Sequence, residues 1–135
     1  MHCVRAFPPF NFKELYELGA KAFMRGGKAA EFWRPTLFDF RNVQIKKLDA
    51  EELVEIFKKR RSFGEEHNNN PSAYLVQDLH THTMVRMSTA YADAHGLREE
   101  EKTIVTEDAG EATRWLASVM GLEEDQACRL EGFIA

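Results

Sequence analysis

The sequence predicts an α/β domain built on a mostly parallel sheet of about four strands, with alternating helices packed on it. Short apolar runs alternate with segments whose apolar residues recur at helical spacing, in the order β-α-β-α-β-α-β-α. Because a helix separates each pair of consecutive strands, each crossover helix must cover a face of the sheet. The 135 residues contain no repeat, low-complexity tract or linker, so we expect a single domain over residues 1–135.

Four short apolar runs are the predicted strands. Pro8-Pro9 ends the first run and Pro35 precedes the second, and a polar loop at Asn68–Pro71 leads into the third. The predicted strands are Cys3–Phe7, Thr36–Phe40, Ala73–Val76 and Lys102–Glu107.

Capping patterns mark the helices between these strands. Three predicted N-cap residues, each with an acidic residue three positions later, are Asn11, Asp49 and Asp108. Gly26-Gly27 is predicted to end the first helix, and another helix is predicted from about His80 to His95, ending at Gly96. A short last helix is expected over Glu123–Arg129.

The composition of the chain limits the classes of partner that it is expected to bind. The chain is 44% hydrophobic and 30% charged, which is typical of a globular protein. Its net charge is −4, with 18 basic and 22 acidic residues, so nucleic acid is not expected as a partner. The one basic run, Lys58–Arg61, closes a predicted helix, where positive charge complements the helix dipole.

The location expected from the sequence is the cytoplasm. Cys3 and Cys128 lie near opposite ends without CxxC spacing, which suits free thiols in a reducing compartment. There is no run of about 18 apolar residues, so no transmembrane segment is expected. The N-terminus lacks the basic-then-apolar order of a signal peptide.

Several short motifs occur in a recognisable order between Phe38 and Leu116. They are Leu37–Val43 on the second strand, Asp49–Leu53 opening the next helix, Tyr74–Val76 leading to Met84–Met87, and Val105–Asp108 followed by Glu111-Ala112 and Trp115-Leu116. In order and spacing, they resemble the STAS-like (SpoIIAA-like) family of small bacterial proteins, over about 110 residues as an order of elements. The resemblance implies a scaffold that binds protein partners or small apolar ligands, with no shared catalytic residues. Residues 122–135 extend beyond the family's usual end.

The sequence departs from this family at two further places. Where the family usually opens with a strand pair, this chain has Pro8-Pro9 and one predicted strand. Phosphorylated antagonists of the family carry a serine just after the second strand, whereas Asp39–Gln44 contains no Ser or Thr. A phosphorylation switch of that kind is therefore not expected here.

The segment His80-Thr81-His82, preceded by Asp78, is the strongest local indication of a functional site in the sequence. Two histidines and a carboxylate are suitable zinc ligands, so Asp78, His80 and His82 form a candidate metal site. At positions i and i+2 of a helix, however, the histidines point apart. The alternative, which we favour, is that Asp78 or a threonine caps the helix and both histidines are solvated.

A candidate ligand site follows from where parallel strands end. Side chains that end or follow such strands meet at one sheet edge, where α/β folds place ligands, and Glu107 also ends a predicted strand there. Asp39 has an alternative reading as a buried structural carboxylate bonded to Arg41. The methionines of the third predicted helix either line a soft pocket or fill the core. The candidate residues are Asp39, Arg41, Asp78, His80, Met84, Met87 and Tyr91.

The favoured function is a non-enzymatic binding or regulatory module that binds a protein partner. No G-x-S-x-G elbow or activated cysteine is present, and no cofactor is expected. One alternative is a carrier of a lipid-like apolar ligand, held between the sheet and the Met84–Tyr91 helix. Another is a metal-dependent enzyme using the candidate metal site. A homodimer is also possible, through an unpaired edge strand or the surface around Trp33.

Overall fold

A computed structural model describes residues 1–18, 34–62 and 70–135 of the chain. Among these residues, the strands are β1 (His2–Arg5), β2 (Thr36–Asp39), β3 (Ser72–Leu75) and β4 (Thr103–Thr106). The helices are α1 (12–18 within the described part), α2 (Ala50–Ser62), α3 (Leu79–Ala94), α4 (Ala109–Met120) and α5 (Glu124–Ile134). A 3₁₀ turn, Glu100–Lys102, precedes β4.

The four strands form one sheet in which every neighbouring pair is parallel. Their order is β1-β2-β3-β4, so each strand lies beside the next one along the chain. This confirms the predicted α/β class and the parallel sheet. Because β2 and β3 are central, their side chains are almost all buried, as expected for strands covered on both faces.

The helices divide between the two faces of the sheet. When each strand lies beside the next one along the chain and the crossovers have the same hand, the connecting helices lie on the same face of the sheet. Here α1, α2 and α3 share a core with one set of alternate strand residues, including Phe38, Tyr74 and Val105. The other face is covered by α4 and α5, which pack Leu116, Leu130 and Ile134 against the opposite set of strand residues.

The predicted capping residues begin the helices as expected. Asn11 accepts a hydrogen bond from the Lys13 N–H at 2.7 Å, and Asp49 accepts one from the Glu52 N–H at 3.0 Å. Asp108 caps α4, which ends at Gly121 with a left-handed backbone (φ 63°) that glycine adopts without steric cost. These local signals therefore specify the helix ends without help from tertiary contacts.

The structure corrects the extent of the last helix. The sequence suggests a short helix over Glu123–Arg129, whereas α5 continues to Ile134. Its second half carries Leu130 and Ile134, which are buried against the sheet. The segment therefore completes the core on the second face instead of forming an appendage.

Three further findings concern the sequence-based expectations. Both cysteines are free and exposed. Among the described residues, no helix has the length and apolar character needed to cross a membrane. The predicted helix end at Gly26-Gly27 and the surface around Trp33 lie outside the described residues.

Candidate binding site at the carboxyl edge of the sheet

The carboxyl ends of the four parallel strands meet at one edge of the sheet. Ligand sites of open α/β folds lie at this edge. The segments that follow the strands here are 6–11 after β1, 40–49 after β2, 76–78 after β3 and 107–108 after β4.

Asp39, the last residue of β2, is a buried carboxylate held by two partly exposed arginines. Its carboxylate is 2% exposed and accepts two hydrogen bonds from Arg41, Nε to Oδ1 at 3.0 Å and Nη2 to Oδ2 at 2.9 Å. Arg5 of the neighbouring strand adds an ion pair, with Nε 3.2 Å from Oδ2. Arg41 also donates to the carbonyl of Ile134 at 2.7 Å, so these contacts tie β1 and β2 to the end of α5.

The surroundings of Asp39 keep it ionised. Burial acts to raise its pKa, but hydrogen bonds from Arg41 and the positive charges of Arg41 and Arg5 outweigh burial and hold the pKa below its usual value. The hydrogen bond to Asp39 in turn raises the pKa of Arg41. Asp39 is therefore a structural carboxylate, as the alternative reading of the sequence states, and it is poorly suited to proton transfer.

The lowered pKa of Asp39 predicts a loss of stability in acid. A carboxyl whose pKa is lower in the folded than in the unfolded state stabilises the fold above its ordinary pKa of about 3.9, and this contribution is lost as pH falls through the folded pKa. We expect the difference in unfolding free energy between the wild type and Asp39→Asn to shrink from neutral to strongly acidic pH. Urea titrations at a series of pH values measure it. A difference that stays constant would contradict the assignment.

Asp78 is the N-cap of α3 and also positions the loop after β2. It accepts hydrogen bonds from the backbone N–H of Thr81 at 2.8 Å and from its hydroxyl at 3.0 Å, and the first of these is the main cause that lowers the pKa of Asp78. The Thr81 hydroxyl accepts in turn from the N–H of Ile45 at 3.2 Å. His80 Nε2 lies 3.0 Å from the carbonyl oxygen of Lys46. This motif therefore fastens residues 45–46 to the start of α3.

The side chains of the three candidate metal ligands make separate contacts. Asp78 caps its helix and His80 contacts the Lys46 carbonyl, as described above. The buried Nδ1 of His82 has no hydrogen-bond partner and lies 3.7 Å from Glu107 Oε2. In residues 1–18, 34–62 and 70–135 there is no group of three His, Cys, Asp or Glu side chains placed to hold an ion.

The candidate residues Met84, Met87 and Tyr91 lie further along α3 than His80. Met84 and Tyr91 are partly buried and pack against the core of the first face, whereas Met87 is exposed. In the described residues Met84 therefore packs against the core, which is the alternative that the sequence left open for the methionines, and Tyr91 packs there as well.

A cavity of about 480 Å³ opens between the loops that follow β1 and β2. Its apolar lining is aromatic and aliphatic, and its polar lining includes two lysines and two carboxylates. The lining residues are Phe10, Asn11, Phe12, Gln44, Ile45, Lys46, Lys47, Asp49, Glu52 and Leu53. Its volume lies within the range typical of ligand pockets.

These cavity residues were not among those predicted to form a site. Asn11, Asp49 and Glu52 were assigned only to helix capping, Asp49–Leu53 only to the family resemblance, and residues 44–47 lie between predicted elements. Only their position in the chain could have indicated a site, since residues 10–12 and residues 44–47 come shortly after parallel strands. No family model, curated protein or solved structure matches this chain.

Proposed function

We propose that this chain is a non-enzymatic binding module of the STAS-like type, whose carboxyl edge binds a protein partner. The observation that carries the proposal is the cavity at this edge, which has an apolar floor and a charged rim. The STAS-like assignment rests on the order of the sequence motifs and is compatible with a four-stranded parallel sheet.

Three acidic side chains at this edge support binding over catalysis. Asp39 is held by two arginines, Asp78 caps α3, and Asp108 caps α4 by accepting from the Gly110 N–H at 2.8 Å. A general acid or base needs a pKa matched to proton transfer and a free path to the substrate. These three carboxylates are instead committed to contacts that hold the fold.

The cavity has the structure of a pocket for an apolar anchor residue. Phe12, Ile45 and Leu53 form a buried floor, each less than a tenth exposed. Lys46 and Lys47 are exposed at the rim and form no ion pair with the described residues. Interfaces typically combine an apolar anchor in a desolvated pocket with a polar rim, so this cavity fits an apolar side chain flanked by acidic residues.

Exposed apolar side chains lie near the ends of the same strands. Phe7 follows β1 and is 61% exposed, and Leu79 begins α3 just after β3 and is 71% exposed. Phe133 is 55% exposed and precedes Ile134, whose carbonyl contacts Arg41 beyond β2. Large exposed apolar residues gathered at one edge are typical of a protein-binding surface.

A site-specific cross-linking experiment tests this function. A photo-reactive amino acid at the exposed cavity residue Gln44 is expected to capture a discrete protein in cells, whereas the same group at exposed Ser118 on α4 is not. Charge reversal of both rim lysines (Lys46→Glu with Lys47→Glu) should reduce capture about tenfold, because it repels an acidic partner segment.

The matched control keeps the same change in net charge but moves it elsewhere. Reversal of Arg114 and Arg129 to glutamate, on α4 and α5, should leave capture at Gln44 unchanged. Equal capture from Gln44 and Ser118, or equal loss in both charge-reversed proteins, would contradict binding through the cavity.

A second candidate function is a carrier of a lipid-like ligand in the same cavity. The apolar floor suits an acyl chain, and Lys46 and Lys47 suit an acidic head group. This site differs from the location expected from the sequence, where Met84 and Tyr91 pack into the core. Native mass spectrometry of the untagged protein separates the two functions, because a carrier is expected to retain a ligand of a few hundred daltons.

A further inference from the structure

The strand β4 leaves one side of its backbone unpaired within the described residues. It is the last strand of the sheet, and β3 is its one neighbour there. The Val76 N–H donates to the Thr106 carbonyl at 2.9 Å, so Thr106 turns its backbone groups toward β3 and the preceding Val105 turns its own away. The Thr103 carbonyl also points away from β3, while the Thr103 N–H donates to the Glu100 carbonyl of the 3₁₀ turn. The Thr103 carbonyl and both backbone groups of Val105 are therefore available to a further strand.

A groove of about 570 Å³ runs beside this edge, between β4 and one face of α3. The α3 residues that line it are at positions 82, 86, 89 and 93, a spacing that places them in one stripe along the helix. At about 1.5 Å per helical residue this stripe is about 16 Å long, which matches about five residues of a strand that rises about 3.3 Å per residue. The groove is therefore long enough for an added strand whose alternate side chains enter it.

The amino end of this groove is acidic. Glu100 and Glu101 line it from the 3₁₀ turn just before β4, and Asp93 accepts a hydrogen bond from the Glu100 N–H at 3.0 Å, which places its carboxylate beside them. The neighbouring Lys102 pairs with Glu99 at 3.3 Å, and Asp93, Glu100 and Glu101 form no ion pair with the described residues. A cationic side chain that enters this end would therefore contact carboxylates that the described chain does not neutralise.

The carboxyl end of the groove is also bordered by acidic residues. Glu107 follows β4 and lies 3.7 Å from the Nδ1 of His82, and Asp108 caps α4. Arg86 lies between the two ends and is the one arginine or lysine among the described residues that line the groove. The carboxylates outnumber it, so the field along the groove favours a basic ligand over an acidic one.

We infer that this groove binds an extended, basic segment of another protein, which adds to the sheet beside β4. The main chain of the segment pairs with Thr103 and Val105, and its lysine or arginine side chains enter the groove on the α3 side and contact the acidic residues there. A second copy of this chain fits less well, because antiparallel pairing of two β4 strands would bring Glu107 of one copy toward Glu100 of the other. This site does not depend on the function proposed for the carboxyl edge, since the groove and the cavity share no lining residue.

A peptide-binding experiment tests the charge of the ligand. The probe is a fluorescent seven-residue peptide that alternates lysine with valine, a pattern that is the same in both strand directions. Measured by fluorescence anisotropy at physiological salt, the protein should bind it at least tenfold more tightly than the same peptide with glutamate in place of lysine. Glu100→Lys with Glu101→Lys should weaken binding of the lysine peptide at least tenfold, whereas Arg86→Gln should tighten it about threefold.

The matched control makes the same change in net charge away from the groove. Glu55→Lys with Glu131→Lys changes exposed residues of α2 and α5. It should leave binding within about twofold of the wild type, because salt at physiological strength screens exposed charges that are more than about 8 Å apart.

Peptides that are N-methylated at alternate residues test the main-chain pairing without changing the protein or any charge. Methylation of every lysine, or of every valine, removes the N–H donors from one side of the extended peptide only. One of these two peptides should bind at least tenfold more weakly than the unmethylated peptide, and the other within about threefold of it. Loss on methylating the lysines indicates antiparallel addition and loss on methylating the valines indicates parallel addition, because side chains on the α3 side lie opposite Val105.

Several results would overturn the proposal. They are no binding of the lysine peptide up to millimolar protein, equal binding of the lysine and glutamate peptides, and equal loss in the two doubly substituted proteins. Equal effects of the two methylated peptides would also overturn it, because charge attraction alone does not distinguish one side of the peptide backbone from the other.

Discussion

Replacing Asp39 by asparagine is expected to lower the free energy of unfolding by about 2 kcal/mol, because the buried carboxylate that accepts charge-assisted hydrogen bonds from Arg41 becomes an uncharged amide. The carboxylate is 2% exposed and binds Arg41 through both oxygens. Arg41 also holds the carbonyl of Ile134, so loss of the carboxylate should loosen the end of α5 as well. Urea unfolding followed by circular dichroism measures the change.

The matched control for this prediction is Asp125→Asn. Asp125 also faces an arginine, Arg129, but at 3.9 Å, and both side chains are mostly exposed. An exposed pair of this kind contributes at most about 1 kcal/mol, so the control should unfold close to the wild type. Equal effects of the two substitutions would show that burial of the Asp39 carboxylate does not contribute as described.

Replacing Phe40 by alanine is expected to lower the free energy of unfolding by about 4 kcal/mol, through lost apolar burial and the cavity left behind. Phe40 is fully buried, and its ring lies 5.0 Å from that of Phe10 and 5.7 Å from that of Tyr74. Phe10 lines the carboxyl-edge cavity. The substitution should therefore also weaken any binding there in molecules that still fold.

Two variants calibrate the Phe40 result. Phe40→Leu retains most of the apolar volume and should cost less than half as much as the alanine variant. Phe133→Ala removes the same ring from an exposed position and should cost about 1 kcal/mol or less. If Phe40→Ala matched Phe133→Ala in urea midpoint, Phe40 would not belong to the core as described.

Much of the fold was predictable because its signals are local. Asp49, Asp108 and Gly121 fix helix ends through contacts within a few residues. The alternation of short strands and helices implied the parallel sheet, because a crossover needs an intervening segment long enough to return the chain. The length of α5 was not predictable in this way, since Leu130 and Ile134 are specified by the sheet face that they cover.

The position of the candidate site in the fold could be predicted from the sequence, but the residues that form the site could not. Parallel strands end at a common edge whatever their sequence. Asp39 ends β2 there, and Arg41, Asp78 and His80 follow strands at the same edge. Their roles depend on partners far along the chain, such as Ile134 for Arg41 and Lys46 for His80. The cavity is formed where two loops meet, so no single segment of the sequence predicts it.

Arg98 is the clearest example of a residue whose role could not be predicted from the sequence. It follows Gly96 in a connection without a motif, yet it is 7% exposed. Its guanidinium donates to the hydroxyls of Tyr74 and Ser72 and to Asn70, which joins the loop after α3 to the amino end of β3. Nothing near Arg98 in sequence predicts burial of a cation, because its acceptors lie more than twenty residues away.

The sequence by itself determined the fold class, the helix ends and the edge of the sheet where a site belongs, because caps, apolar periodicity and parallel crossovers depend on residues near one another in the chain. Only the tertiary structure decided which side chains are committed to the fold and which remain available to bind. It showed that Asp39 and Asp78 hold structure, that Met84 and Tyr91 pack against a core, and that Lys46 and Lys47 border a cavity. The physical reason is that burial, ion pairing and cavity shape arise from contacts between distant segments.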